Sequence, residues 1–244
     1  MKLFSIYRIP FLALIVLLAG CASYTTPGGP VNLAGIQSQD IGDLMAREPA
    51  ASFPALVSFA RVQSPNYKSH SVDAHGSGAY SVVMTREFML EAQLDEIKGW
   101  PKVRAATPLS RLLIQSQLDS LDDLRTASAN LKSDILLVFT IDTTFRVDGK
   151  SVGPLSVITL GTMRDRETVV TTTASAIFID VRSGFVFGVA EATASETKKT
   201  SAWGSGSAVD QSRLVTEREA FSGLMKELRK TWENIVTEHG ASAV

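Results

Sequence analysis

The sequence predicts an α+β domain in which helices cover a mainly antiparallel sheet and the last element is a long amphipathic helix. Segments rich in β-branched residues follow one another through the second half of the chain, and the turn Arg182–Gly184 joins two of them, as in an antiparallel hairpin. Apolar residues recur at three- and four-residue spacing from Phe221 to Val236, which indicates a helix with one apolar face. Because that face has to be buried, the sheet is its expected partner.

The composition is that of an ordinary globular protein without bulk charge. Of 244 residues, 45% are hydrophobic and 20% are charged, and 24 basic against 25 acidic side chains leave a formal charge of -1. A chain of this length has room for one domain with one core. The near-neutral balance predicts no attraction to nucleic acid.

The start of the chain has the layout of an export signal. Lys2 and Arg8 make it positive, and Phe11–Leu18 is an uninterrupted apolar run. Small residues then precede Cys21, which resembles the bacterial lipobox, where a signal peptidase cuts before a lipid-modified cysteine. An uncleaved membrane anchor is the weaker alternative, because the run is shorter than the roughly 20 residues that cross a bilayer. Cys21 is the only cysteine, so it can form no intramolecular disulfide, and acylation explains its presence.

This resemblance implies a lipoprotein of the cell envelope whose signal peptide, residues 1–20, is removed. Acyl chains on Cys21, palmitate among them, then hold the protein to a membrane, and several chains together make the attachment effectively permanent. By resemblance to bacterial sorting rules, Ala22 in the place of an aspartate directs the protein to the outer membrane, with the domain facing the periplasm. The inner membrane is the alternative location.

Three further segments are expected after the signal peptide. Residues 21–52 comprise the lipidated cysteine and a flexible tether, because Ala22–Gly35 is small, polar and rich in Pro and Gly. Residues 53–238 form the single α+β domain, and residues 239–244 form a disordered tail.

The elements of the domain are predicted from local patterns. Strands are expected where β-branched and apolar residues alternate or run together, and helices where apolar residues recur at helical spacing. The predicted strands are 53–62, 80–85, 134–147, 155–160, 168–181 and 185–190, and the predicted helices are 88–97, 120–132 and 221–236. Ser120 followed by Asp123 marks the start of the second helix. Polar loops are expected at 64–78 and 198–207.

The order of these elements resembles the curli-secretion lipoproteins and their relatives with a TolB amino-terminal-like fold. The resemblance rests on the hairpin Ile179–Val186 (IDVRSGFV), which follows the family pattern of an aliphatic residue, Asp, two variable positions, Ser or Thr, and Gly. It covers residues 53–238 and implies the fold more than a function. Ala174–Ala192 and Tyr80–Thr85 are also similar to a narrower group, the rhombotarget lipoproteins, although the chain lacks the glycine pair, apolar helix and basic tail of a rhombosortase substrate.

The same resemblance supplies an alternative function, a subunit of an oligomeric secretion or pore assembly. Subunits of the curli channel each contribute two amphipathic hairpins to the pore, and only residues 150–174 have a comparable pattern here. A transmembrane strand needs about nine to eleven alternating residues, and Leu155–Met163 is barely that long. A pore is therefore the weaker expectation.

No metal site is predicted. His70 and His75, with Asp73 between them, lie in a polar loop and lack the third and fourth ligands of a metal site. The third histidine, His239, is near the carboxyl end. Solvated loop histidines are the better interpretation.

An enzymatic function is a weaker expectation than a binding role. Ser77 and Ser205 each lie between glycines, but neither the GxSxG turn of serine hydrolases nor the GxxxxGK[ST] phosphate-binding loop occurs. An envelope serine hydrolase would need His70 or His75 and a buried acid to converge on one of these serines. The sequence therefore predicts a protein that is not an enzyme and takes no cofactor.

The expected function is a non-enzymatic binding or assembly module at a membrane. Its partners would be the membrane, through the lipids on Cys21, and either an envelope protein or further copies of the chain. Trp203 is the candidate partner contact, because exposed aromatic residues anchor interfaces, although a tryptophan is equally common in a core.

Overall fold

The computed structural model describes residue 31 and residues 40–69, 74–84, 91–147, 150–151, 167–199 and 206–240. Within them the chain is an α+β domain with a mixed, mostly antiparallel sheet and a long carboxyl-terminal helix packed on that sheet. The predicted fold class is confirmed.

The described residues contain four α-helices and a short 3-10 turn. They are α1 (Ile41–Met45), α2 (Glu91–Lys98), α3 (Leu121–Asn130) and α4 (Gly206–His239), with the 3-10 turn at Arg111–Leu113. α3 begins as predicted, because the N–H of Ser120 donates to Oδ2 of Asp123 at 2.9 Å and so satisfies one donor at the helix start.

α4 is about twice as long as the predicted segment 221–236. The face that its first half buries is polar and consists of Ser212, Arg213, Thr216 and Glu217. An apolar helical period is therefore visible in the sequence only from Phe221 onward. The expectation of a loop at 198–207 was wrong at its carboxyl end for this reason.

The strands lie mostly in one sheet. They are β1 (Ala55–Gln63), β2 (Ser77–Gly78), β3 (Ser81–Val83), β4 (Val103–Pro108), β5 (Gln117–Leu118), β6 (Ile135–Val147), β7 (Lys150–Ser151), β8 (Glu167–Asp180) and β9 (Val186–Lys199). β9 is longer than the predicted 185–190, so residues 198 and 199 belong to a strand and not to the predicted loop. β4 was not predicted, because it is short and ends in a proline.

The main path through the sheet is β3-β1-β6-β8-β9. β6 pairs with β8, and β8 with β9, in antiparallel ladders along nearly their whole lengths. β1 pairs with β6 and β4 in parallel and with β3 antiparallel. β7 pairs antiparallel with the end of β6. β2 and β5 form a separate two-stranded sheet. β9 therefore lies at one end of the order.

Each face of the sheet has its own apolar core. On one face, Phe139 and Phe178 pack with Leu228 and Trp232 of α4. On the other face, the sheet packs against the apolar side of α3, which includes Leu124. Because helices cover both faces of the sheet, the side chains of Ile135–Phe139 are buried on either side. The segment is therefore apolar at every position.

Trp232 lies at the centre of the larger core. Its ring centroid is 5.9 Å from that of Phe53, 6.2 Å from that of Trp100 and 5.7 Å from that of Phe178. Its indole N–H donates to the carbonyl of Pro101 at 2.7 Å. The second half of α4 is thus held by aromatic packing together with one specific hydrogen bond.

The motif that suggested the family resemblance builds the β8–β9 turn. Oδ1 of Asp180 accepts the N–H groups of Arg182 and Ser183 at 2.8 and 3.0 Å. The N–H of Gly184 donates to the carbonyl of Asp180 at 2.9 Å, and that of Asp180 donates to the carbonyl of Phe185 at 2.8 Å. Gly184 has a φ of 73°, as a turn closed by a glycine bulge requires.

Replacing Gly184 with alanine is expected to destabilise the domain by roughly 1–2 kcal/mol, the cost of a left-handed residue with a side chain. The new Cβ would also lie 2.8 Å from Nη1 of Arg47 and 2.9 Å from Nη1 of Arg125. Urea unfolding measures the change. Gly99→Ala is the control, because Gly99 has no positive φ and its Cβ would meet nothing closer than 3.3 Å. Equal stabilities of the two variants would contradict this account.

Parts of the predicted tether contact the domain. Val31 is buried in the core beneath α3. Further along, Nη1 of Arg47 donates to the carbonyl of Gly184 at 3.0 Å, and the N–H of Ala50 donates to Oδ2 of Asp180 at 2.6 Å. The division of the chain at residues 52 and 238 stays a prediction, while α4 continues to His239.

The segment considered for a pore hairpin is described in part. Residues 150–151 pair with the end of β6, and residues 168–174 pair with both β6 and β9 inside the sheet. The predicted strand 155–160 lies outside the described residues. No helix in the described part of the chain combines the length and apolar character needed to cross a membrane.

Candidate interaction site

Among the described strands, β9 lies at an edge of the sheet. It pairs with β8 along its length, and no other described strand pairs with its opposite side. At about 3.3 Å per residue, its 14 residues form an edge about 45 Å long, whereas an ordinary strand has five or six residues. Such an edge presents a row of backbone N–H and C=O groups that another chain can pair with.

In the middle of β9 the side chains that face α4 are small, and the helix lies close to the strand. Ala190 is buried. A Cβ on Gly223 of α4 would lie 3.0 Å from the Cβ of Ala192, and one on Gly188 would lie 2.7 Å from Cγ2 of Thr231. This close packing supports β9 from one face along its length.

On the opposite face, the β9 side chains are bound to β8. Three cross-strand hydrogen bonds join Ser175 Oγ to Glu191 Oε2 (2.8 Å), Thr173 Oγ1 to Thr193 Oγ1 (2.9 Å) and Ser195 Oγ to Thr171 Oγ1 (3.0 Å). Each bond draws a β9 side chain toward β8 and away from the open edge. Glu191, a charge that could shield the edge, is therefore held over the sheet.

Of the usual devices that protect an edge strand, β9 has charges, at Glu191 and Glu196 and, at its carboxyl end, at Lys198 and Lys199. Proteins shield edges with proline, bulges, short strands or charges. β9 contains no proline, and its only irregularity lies at its start, opposite Phe178 and Ile179. Val189 is 68% exposed. Residues Val189–Thr197, which we call the β9 edge, are thus a regular and weakly shielded stretch.

A buried ionic cluster lies beneath the first half of α4. Nη1 of Arg213 donates to Oε1 and Oε2 of Glu217 at 2.8 and 2.9 Å. Nη2 of Arg61 lies 3.6 Å from Oε2 of Glu217 and donates to the Tyr67 hydroxyl at 3.2 Å. The side chains of Arg61, Arg213 and Glu217 are no more than 4% exposed. The cluster therefore joins β1 to α4 in the interior of the domain.

Hydroxyl groups extend this cluster across the sheet. Thr143 of β6 donates to Oε1 of Glu217 at 3.1 Å and lies 2.9 Å from the hydroxyl of Thr172. Thr172 of β8 donates to Thr216 of α4 at 3.0 Å. The first half of α4 is thus attached to β6 and β8 by polar contacts, whereas the second half is held by apolar packing.

The side chain of Gln63, the last residue of β1, hydrogen-bonds to β6 at Thr140 and Ile141. Its Nε2 donates to the carbonyl of Ile141 at 2.7 Å, and its Oε1 accepts the N–H of Ile141 at 3.1 Å and the Thr140 hydroxyl at 2.8 Å. Asp142 follows on the face away from α4, where burial raises the pKa of its carboxyl. Beyond this point β6 pairs with β7 and β8 among the described strands.

The residues predicted to carry function are mostly not located by the structure. Cys21 and Trp203 lie outside the described residues, as do His70 and Ser205. His239 ends α4, and its ring centroid is 5.2 Å from that of Phe187. Lipidation and the Trp203 contact stay predictions.

Of the residues considered for hydrolysis, His75 and Ser77 are described. The His75 ring Nε2 lies 3.4 Å from the carbonyl of Ile114. The Ser77 hydroxyl donates to the carbonyl of Ser116 at 3.2 Å and lies 3.3 Å from Oε1 of Gln117. Both side chains thus contact the segment 114–117. Among the described residues, no group of three or more His, Cys, Asp or Glu side chains is placed to hold a metal ion.

Sequence reasoning missed the β9 edge. Its residues read VAEATASET, in which alanines alternate with polar residues. That period of two is a strand signal, but alanine is a poor strand former and offers little contrast in hydropathy. The edge itself has no sequence signal, because only the sheet order shows which side of a strand is unpaired.

No protein-family model matches the chain, and a search of curated proteins finds no match. The curli-secretion and rhombotarget resemblances therefore stay predictions.

Two solved structures align with about two thirds of the chain or more. Lipoprotein GNA1162 from Neisseria meningitidis aligns with 68% of this chain and 99% of its own, at 14% identity and a TM-score of 0.30. A PelC dodecamer from Paraburkholderia phytofirmans aligns with 72% of this chain and 94% of its own, at 13% identity and a TM-score of 0.27. Similarity at this level is weak and identifies no function for this chain.

Proposed function

We propose that the protein is a lipid-anchored lipoprotein of the bacterial cell envelope that acts as a non-enzymatic binding or assembly module. Its lipids are attached to Cys21, its location is the outer membrane, and its domain faces the periplasm. The observation that carries the binding role is the β9 edge, which is long, regular and unpaired among the described strands.

The length of the edge matters for its capacity to bind. A backbone hydrogen bond contributes on the order of 1 kcal/mol net, whereas association costs roughly 4–15 kcal/mol. Two or three residues therefore cannot hold a partner strand. The β9 edge supports pairing over the whole of Val189–Thr197, and strand addition is a common mode of peptide recognition.

The anchor supports the same role. A protein held to one membrane meets its neighbours at a high effective concentration, so a modest intrinsic affinity is enough for binding. The sequence lacks the motifs of serine hydrolases and nucleotide-binding proteins, and no chemical step is part of the proposal.

Photocross-linking in the native envelope tests the binding role. A photoreactive residue at Thr197, which is exposed on β9, is expected to give a cross-linked adduct. The same residue at Thr126, which is exposed on α3, is the control and should give none. Thr193→Pro, combined with the Thr197 probe, should remove the adduct because proline takes away a backbone donor of the edge.

Each outcome decides the proposal. An adduct at position 197 that is absent at 126 and is lost with Thr193→Pro supports binding at the β9 edge. Equal labelling of positions 197 and 126, or no adduct at 197, would overturn it. Thermal unfolding of the Thr193→Pro variant checks that the fold persists.

A further inference from the structure

We infer that the strand added to the β9 edge is β9 of a second copy, paired antiparallel around a twofold axis at Thr193. This inference rests on the proposed binding role and names its partner. Two observations support it. The first is the set of β9 residues whose backbone groups point to the open edge, and the second is the distribution of charges along β9.

The cross-strand hydrogen bonds indicate which β9 residues offer their backbone to a partner. In an antiparallel ladder, directly opposed residues alternate between hydrogen-bonded pairs and closer pairs without backbone bonds. The short side-chain contacts at Glu191, Thr193 and Ser195 are typical of the closer pairs. The N–H and C=O groups of these three residues therefore point away from β8, toward the open edge.

The charges on β9 disfavour two positions of the twofold axis, and the overlap of the two edges decides among the rest. A twofold axis at Glu191 would set that carboxylate against its own copy, and an axis at Glu196 would do the same there. Like charges directly opposite each other destabilise a strand pair. An axis at Thr193, the central residue of the β9 edge, pairs all of Val189–Thr197 in both copies and opposes no like charges.

The pairs in this register are compatible in size and polarity. Thr193 faces itself across the axis, and Glu191 faces Ser195 of the second copy. The exposed Val189 faces Thr197, whose methyl group can cover it. Because the register is symmetric, the Glu191–Ser195 and Val189–Thr197 pairs each occur twice and the Thr193 pair occurs once on the axis, as in a twofold interface.

The expected dimer is weak in solution and favoured on the membrane. One pair of strands buries less than the roughly 1,200–2,000 Å² of a stable interface. Lipid anchors keep the copies on one surface, which raises their effective concentration. A second copy is also the one partner certain to carry the same tether and so to present its edge at the same height.

Introducing a charge of either sign at Ser195 tests the register in the full-length, detergent-solubilised protein. Sedimentation measures the dimer fraction. Ser195→Glu places a carboxylate opposite Glu191 of the other copy at each of the two symmetric sites and should weaken the dimer about tenfold. Ser195→Lys places opposite charges there and should strengthen the dimer by a similar factor. A charge that merely shields the edge would weaken the dimer in both variants.

Disulfide cross-linking through a single engineered cysteine tests the position of the twofold axis in the membrane-bound protein. Thr193→Cys should oxidise to a disulfide-linked dimer, because opposed residues place their Cα atoms within disulfide range. Thr126→Cys is the matched control and should stay monomeric. Acylated Cys21 has no free thiol and does not interfere.

The results separate this inference from the proposed function. Opposite effects of Ser195→Glu and Ser195→Lys, together with cross-linking at 193 and not at 126, support the twofold dimer. A monomer at every concentration, with no disulfide at 193, overturns it. If the photocross-linked adduct at Thr197 then has a mass other than that of a dimer, the edge binds a different protein and the proposed function stands. If no adduct forms, both proposals fail.

Discussion

Replacing Cys21 with alanine is expected to release the protein from the membrane. Without the thiol there is no site for acylation, and each buried methylene that is lost removes about 0.8 kcal/mol of membrane affinity. Acyl chains carry many methylenes, so the loss should be close to complete. The measurement is cell fractionation with mass spectrometry of the amino-terminal peptide, which in the native protein should begin at an acylated Cys21.

Two matched variants sharpen this experiment. Ser38→Ala, in the same tether, should stay in the membrane and controls for the substitution itself. Ala22→Asp should keep the lipids and move the protein to the inner membrane, as the sorting resemblance implies. Recovery of a native chain that retains residues 1–20 would show that an uncleaved anchor holds the protein.

Replacing Glu217 with alanine is expected to destabilise the domain by about 3–5 kcal/mol, the usual cost of breaking a buried ion pair. The carboxylate accepts from Arg213 and lies 3.6 Å from Arg61, in a site with almost no exposure to water. Its loss removes a negative charge from between two buried guanidinium groups. The free energy of unfolding in urea gives the change directly.

α4 contains its own control for this prediction. Nε of Arg229 donates to Oε1 of Glu233 at 3.2 Å with the same four-residue spacing, but both side chains are more than half exposed. Glu233→Ala should change the stability by less than about 0.5 kcal/mol, because exposed pairs on a helix contribute little. If the two variants lose similar stability, the cluster around Glu217 does not contribute as a desolvated ion pair.

Several elements were predictable because a local pattern encodes them. The capping pair Ser120 and Asp123 begins α3, and the apolar period of the segment 221–236 belongs to a helix on the sheet. The turn at Gly184 needed a residue with positive φ, and the sequence supplies one. In each case a few neighbouring residues determine the conformation.

Other features were not predictable for a physical reason. The first half of α4 buries Arg213 and Glu217, so a rule that places charged residues in water gives the wrong answer there. These charges are buried only because Arg61 and Tyr67, far away in the sequence, complete the cluster. The pairing is non-local, and no window of sequence contains it.

The sequence by itself determined the class of the fold, the order of most elements and the expectation that the chain is exported and lipidated at Cys21. These depend on local spacing, turn chemistry and the hydropathy of short segments. Only the tertiary structure decided that β9 lies at the end of the sheet, that its side chains bond back to β8, and that α4 is attached by a buried ionic cluster. Those features arise when distant segments pair, because which edge remains unpaired and which charges become buried depend on every other strand in the sheet.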